Sequence, residues 1–287
     1  MKKSRSINKI IRYLFAFGLS CAPIVNVEAA FELAGDDIIS LSMGGAGIAR
    51  NMPGCGITSN PAAFGNILFP EISASYRKLF NLDELQQNQI SGKFRLWGGG
   101  CSLTFFNFGN KYYGENIFAV GYGIRLSSKI YAGLNIPIYF LSIEGGGGMT
   151  TLGVGSGIIY KLSENFTTGI NTININTPEI GNSHERLPFS FEAGVSYNPA
   201  QQFYVNLDIG KRDDFKLSKR FGIEYYGLKK IILRTGIDDE SSAISAGFEI
   251  IFKLLNIRYS FSSHKQLGFT NIFGVLIRFR EREFADN

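Results

Sequence analysis

The chain has 287 residues, among them 34 glycines, 25 phenylalanines and 13 tyrosines, with 18% charged residues and a mean hydropathy of +0.04. That balance argues against a helical membrane protein and for an aromatic-rich β-protein. The formal net charge is +5, but Lys2, Lys3, Arg5, Lys9 and Arg12 against Glu28 put +4 of it in the first 29 residues, leaving about +1 and removing the main support for nucleic-acid binding.

Residues 1–29 read as an export signal. The basic start precedes an apolar stretch at residues 13–25, and Val27-Glu28-Ala29 supplies small residues for a cut expected after Ala29. A lipoprotein reading at Cys21 is poorer, because Gly18 stands where a lipobox wants Leu. Cys55 and Cys101 remain, to be read either as two free thiols or as a disulfide. No later stretch supplies the 18 or more apolar residues of a membrane helix, so a membrane-resident mature chain has to be a closed barrel.

Residues 41–66, LSMGGAGIARNMPGCGITSNPAAFGN, suit neither a strand nor an amphipathic helix. Gly44, Gly45 and Gly47 permit close backbone approach, and Ser59-Asn60-Pro61 starts a turn. The run Ser42 to Gly47 followed by Asn60-Pro61-Ala62 resembles the amino-terminal plug of the FadL-like family, the outer-membrane long-chain fatty-acid transporters. PorV/PorQ-like barrels of type IX secretion share the pattern. The resemblance implies residence in the bacterial outer membrane among its lipids. It makes residues 30–70 a lumenal plug, with Gly44, Gly45, Gly47, Asn60, Pro61 and Ala62 at its gate. It also implies a sideways exit for hydrophobic ligand at an inward kink of the third strand.

From residue 71 to 279 the sequence alternates with period two. Val205, Leu207 and Ile209 oppose Tyr204, Asn206 and Asp208, and Ile244, Ala246, Phe248 and Ile250 oppose Ser245, Gly247 and Glu249. One face of each strand reads as greasy, the other as small or charged. Fourteen strands fit these 209 residues at roughly fifteen per strand with its turn, and a membrane-crossing strand needs about 9–11. The expected fold is an all-β, fourteen-stranded antiparallel transmembrane barrel. The segment at 165–176 breaks phase, which suggests a bulge. Gly98, Gly99 and Gly100 open the third strand, as the lateral opening or simply as the turn after Trp97. Residues 267–279 resemble the carboxy-terminal assembly signal of bacterial barrels, ahead of a tail at 280–287.

Catalytic constellations are scarce. His184 and His264 fall in loops, no His/Cys cluster has metal spacing, and Gly145 to Gly148 lacks the ending of a phosphate loop. The expectation is a protein without catalytic activity, cofactor or metal. Alternation turns Lys93, Arg95, Arg125, Lys161, Glu192, Asp208, Glu224, Arg234, Glu249, Arg258 and Arg278 inward. They either fill and stiffen the lumen as a paired network, or Arg125, Arg234, Arg258 and Arg278 hold an anionic headgroup or carboxylate. The function expected is passive uptake or binding of hydrophobic small molecules such as fatty acids. The alternative is a barrel that docks proteins of a secretion system.

Overall fold

A computed structural model describes residues 30–31, 37–52, 56–181, 185–213 and 215–279. The expected export signal, Cys55, His184 and the tail at 280–287 lie outside them. The strands are β1 (Glu71–Lys78), β2 (Gln86–Leu96), β3 (Gly99–Gly109), β4 (Tyr113–Arg125), β5 (Ile130–Ile143), β6 (Gly147–Leu152), β7 (Gly155–Lys161), β8 (Phe166–Ile173), β9 (Glu179–Ile180), β10 (Glu185–Arg186), β11 (Ser190–Ala200), β12 (Phe203–Arg212), β13 (Ser218–Leu228), β14 (Ile231–Asp238), β15 (Ala243–Phe252), β16 (Leu255–His264) and β17 (Gly268–Arg278). All neighbours pair antiparallel, and β1 pairs with β17 from Glu71↔Arg278 to Lys78↔Asn271, which closes the sheet. Strands β6 and β7 both pair with β5 and together make one wall strand. The small β9–β10 hairpin forms a separate sheet that packs against β6. The result is a closed fourteen-stranded antiparallel barrel with almost no helix.

Alternation decides facing. In β12, Leu207 and Ile209 are exposed outside the barrel, while Asn206 and Asp208 are buried within it. The same pattern runs through β11 to β17 and gives an outward apolar belt that hydrocarbon, not water, would solvate. Tight connections such as Lys253-Leu254 mark one rim. The other rim carries the longer segments at 79–85, 174–189 and 213–217.

Two local expectations are corrected. Strand β8 has no bulge: it keeps continuous register with both neighbours and ends at Ile173, because the chain turns at Asn174, which has φ +55°. The irregularity sits one wall strand earlier, at Gly153-Val154 between β6 and β7. Alternation also fails in β3 to β5 towards the long-loop rim. There Phe106, Phe108, Ile117, Tyr139 and Leu141 point inward beside outward Phe105, Phe118 and Phe140.

Inside the barrel lie helix α1 (Ile38–Ser42) and a 3-10 turn at Pro61–Asn66. Asp37 caps α1 by accepting the Ile39 N–H at 2.8 Å.

Candidate functional site

The inner segment, residues 37–52 and 56–66, is seated on the wall by close backbone contact. Gly44 (φ +65°) lies where an added Cβ would stand 2.6 Å from the Ile237 backbone, and Gly45 (φ +83°) and Gly47 (φ +135°) are also left-handed. The wall reciprocates with glycines of its own. A Cβ at Gly236 would meet Met43, one at Gly133 would meet Pro61, and one at Gly100 would meet the Phe64 carbonyl at 2.0 Å. Asn60 is the seam. Its Oδ1 accepts the Ala62 N–H at 3.0 Å and caps the Pro61 turn, while its Nδ2 faces the carbonyls of Ile48 (3.0 Å), Ile170 (3.1 Å) and Ile158 (3.4 Å). The Gly47 and Ile48 N–H groups donate to Asp208 at 2.6 and 2.9 Å.

A lattice of charge surrounds this segment, most of it towards the short-turn rim, with Arg220, Glu192 and Asp208 on the long-loop side. The wall offers Lys93, Arg220, Arg234, Arg258 and Arg278 against Glu71, Glu192, Asp208, Glu224 and Glu249, equal numbers of each sign. Arg234 bridges Glu224 (2.5 Å) and Glu249 (2.8 Å), Arg258 reaches Glu249 at 3.3 Å, and Arg50 of the inner segment pairs with Glu224 and stacks 3.8 Å from the Tyr204 ring. Burial pushes the Asp37 carboxyl above the ordinary range, and Arg258 and the Ile39 N–H pull it back. A polar vestibule of about 420 Å³, lined by Arg50, Lys93, Glu71, Tyr226 and Arg278, opens on that rim.

Of the four arginines singled out from the sequence, Arg234 and Arg258 meet through Glu249. Arg278 donates to Glu71 at 2.6 Å, and Arg125 stands apart on the rim, donating to the Ser127 carbonyl. Gly98, Gly99 and Gly100 form the β2–β3 turn and the start of β3, where Gly99 pairs with Leu96 and Gly100 with Arg95 and Gly123. Cys101 is buried in β3.

Sequence reasoning missed an apolar compartment on the long-loop side of the lumen. Its wall is Phe106, Phe108, Ile117, Ala119, Tyr139 and Leu141, and Ile180 and Leu187 of the 174–189 connection close over it. Phe31 fills its centre, its ring 5.0 Å from that of Tyr139 at 68°, and a cavity of about 40 Å³ remains beside it. The Tyr139 hydroxyl donates to Asn174 Oδ1 at 2.9 Å. The signal that marks this compartment is the loss of alternation in β3 to β5. The hydrogen-bonded wall is interrupted next to it: among the described residues β6 forms a ladder only with β5, because β8 stops at Ile173, and β9 packs against the other edge without pairing to it. Residues 174–176 brace this notch, with the Ile175 N–H donating to the Val154 carbonyl at 2.8 Å and Asn176 Nδ2 donating to the Leu152 carbonyl of β6 at 2.8 Å.

No protein-family model matches the chain, and no curated protein does. Solved structures resemble it closely in fold. The toluene transporter TbuX of Ralstonia pickettii superposes with a TM-score of 0.68 at 13% identity, covering 88% of this chain and all of that one. The monoaromatic hydrocarbon channel CymD gives 0.62 at 16%, again over 88% and 100%. The Pseudomonas putida toluene transporter TodX gives 0.60 at 13%, over 87% and 98%. At such identities the likeness establishes the shared barrel fold.

Proposed function

We propose that the protein resides in the bacterial outer membrane as a passive, non-catalytic conduit for small hydrophobic molecules. In this reading the inner segment is a plug that closes the axial route. The observation that carries it is the apolar compartment beside the notch in the wall at β6. Elsewhere the lumen is lined by paired charges, close-packed backbone and the charged vestibule, which offer an apolar molecule little. The compartment lies beside β6, whose second edge has no strand ladder among the described residues and is covered only by β9 and Asn176, so in this reading a ligand resting there is one loop away from lipid. The hydrocarbon-transporting names of the structural neighbours support the same chemistry. One benzyl side chain and a cavity of about 40 Å³ occupy the chamber, dimensions that favour a compact, ring-sized ligand over a long acyl chain.

The test is equilibrium binding of radiolabelled toluene and oleate to the detergent-purified protein, alongside Leu141→Asp. A carboxylate there would face the bound ligand without a partner, so toluene binding should fall at least about tenfold (1.4 kcal/mol) while heat-modifiable migration persists. Preference for oleate would shift the ligand class to fatty acids. Absence of binding by either, with a stoichiometric protein partner co-purifying, would replace uptake by a docking role in secretion.

A further inference from the structure

Two carboxylates converge on one short piece of main chain at the mouth of the apolar compartment. Glu185 Oε1, on β10, accepts the Ala30 N–H at 2.9 Å. Glu115 Oε1, on β4, accepts the Phe31 N–H at 2.9 Å and the Tyr113 hydroxyl at 2.5 Å. Ala30, Phe31 and Glu115 are all buried. Among the described residues no lysine or arginine pairs with Glu115 or Glu185. Two carboxylates this close, one of them buried, call for positive charge, which a neutral peptide N–H does not supply.

The chain itself can supply that charge. Hydrolysis of the Ala29–Ala30 peptide bond adds hydroxide to the Ala29 carbonyl carbon and hydrogen to the Ala30 nitrogen. The freed amine then takes a proton from solvent. Its ordinary pKa is about 7.7–8.0. We infer that Ala30 is the processed amino terminus and that its α-ammonium is a latch, bound to Glu185 beside Glu115, that holds the 174–189 connection over the compartment and Phe31 inside it.

Two further observations fit a latch. Phe31 sits at φ +68°, a left-handed conformation an aromatic residue rarely adopts unless its surroundings impose it, and the two carboxylate contacts hold the two successive N–H groups that lead into it. Ile180 and Leu187, on either side of Glu185, are buried in the same cluster as Phe31. The connection and the terminus therefore close as one unit. The groups facing the ammonium are Glu185, Glu115 and the Tyr113 hydroxyl. This inference is independent of the ligand and of the uptake reading.

The test uses the exported protein purified in detergent. Intact mass and terminal sequencing should give Ala30 as first residue. Reductive ¹³C-methylation preserves the charge of the α-amine and lets its titration be followed by NMR. Its pKa should lie at least about one unit above the ordinary range, because both carboxylates favour the protonated form. Glu185→Gln and Glu115→Gln should each lower it, and inserting Gly between Ala29 and Ala30, which displaces the amine by about 3.8 Å, should restore an ordinary value. A first residue other than Ala30, or an α-amine of ordinary pKa indifferent to both substitutions, would overturn the latch.

Discussion

Asn60 carries bonds at both ends of its amide, and that makes it the most informative single residue in the inner segment. Asn60→Ala removes the cap of the Pro61 turn, worth about 0.5–2 kcal/mol, and strips donors from the Ile48 and Ile170 carbonyls. Asn60→Asp keeps the cap but turns a carboxylate oxygen towards those same carbonyls. Both variants should loosen the segment, Asp no less than Ala, and Asn60→Gln should not rescue either, since Gly157 leaves no room for a longer side chain. Rates of proteolysis of the inner segment in detergent measure this, and an Asp variant as resistant as the native protein would contradict it. A glycine pair gives a second comparison. Gly44→Ala combines a left-handed φ with a Cβ 2.6 Å from backbone and should cost roughly 1–3 kcal/mol of seating. Gly98→Ala has only the φ of +78° and open space around it, so its cost should fall on the β2–β3 turn and leave seating unchanged.

At the scale of strands, adjacent positions face different solvents. Leu207→Arg places charge in the outward belt and should cost roughly 2–4 kcal/mol if it lies near the bilayer midplane. Asn206→Arg, one residue away, meets Met43 of the inner segment instead. It should leave the barrel heat-modifiable while displacing that segment. Equal loss of folding yield in both would mean the facing is wrong. Facing of this kind was legible in β11 to β17 because each residue has one neighbour medium and period two records it directly. It was not legible in β3 to β5, where an apolar medium lies on both sides and alternation has nothing to contrast. The break at Gly153-Val154 was hidden for a related reason: β6 and β7 keep pairing with one partner, β5, and only the early end of β8 exposes the gap. The charge lattice was legible as inward ionisable residues but not as pairs, since Arg50 and Glu224 are 174 residues apart and nothing local links them. The close-contact glycines of the inner segment were legible, whereas the matching glycines on the wall looked like ordinary small inward residues.

For the molecule as a whole, the decisive question is whether wall and inner segment are separable. The wall closes through β1–β17 pairing, which no residue of the inner segment joins. Its central ion pairs, Arg234 with Glu224 and Glu249, and Arg258 with Glu249, run wall to wall, and water admitted to an emptied lumen would solvate them further. Deleting residues 41–66 should therefore leave a heat-modifiable barrel. Its bore, about fourteen strands wide, is larger than side chains alone fill, so planar-bilayer recordings should show ion conductance that the intact protein lacks. Since the wall lattice carries equal numbers of each sign, the pore should discriminate weakly between cations and anions. Neutralising Arg234 and Arg258 together in the deleted form should then tilt it towards cations by leaving Glu224 and Glu249 uncompensated. A deleted barrel that stays closed would show that wall side chains fill the lumen by themselves, and the inner segment would then have to act somewhere other than the axial route.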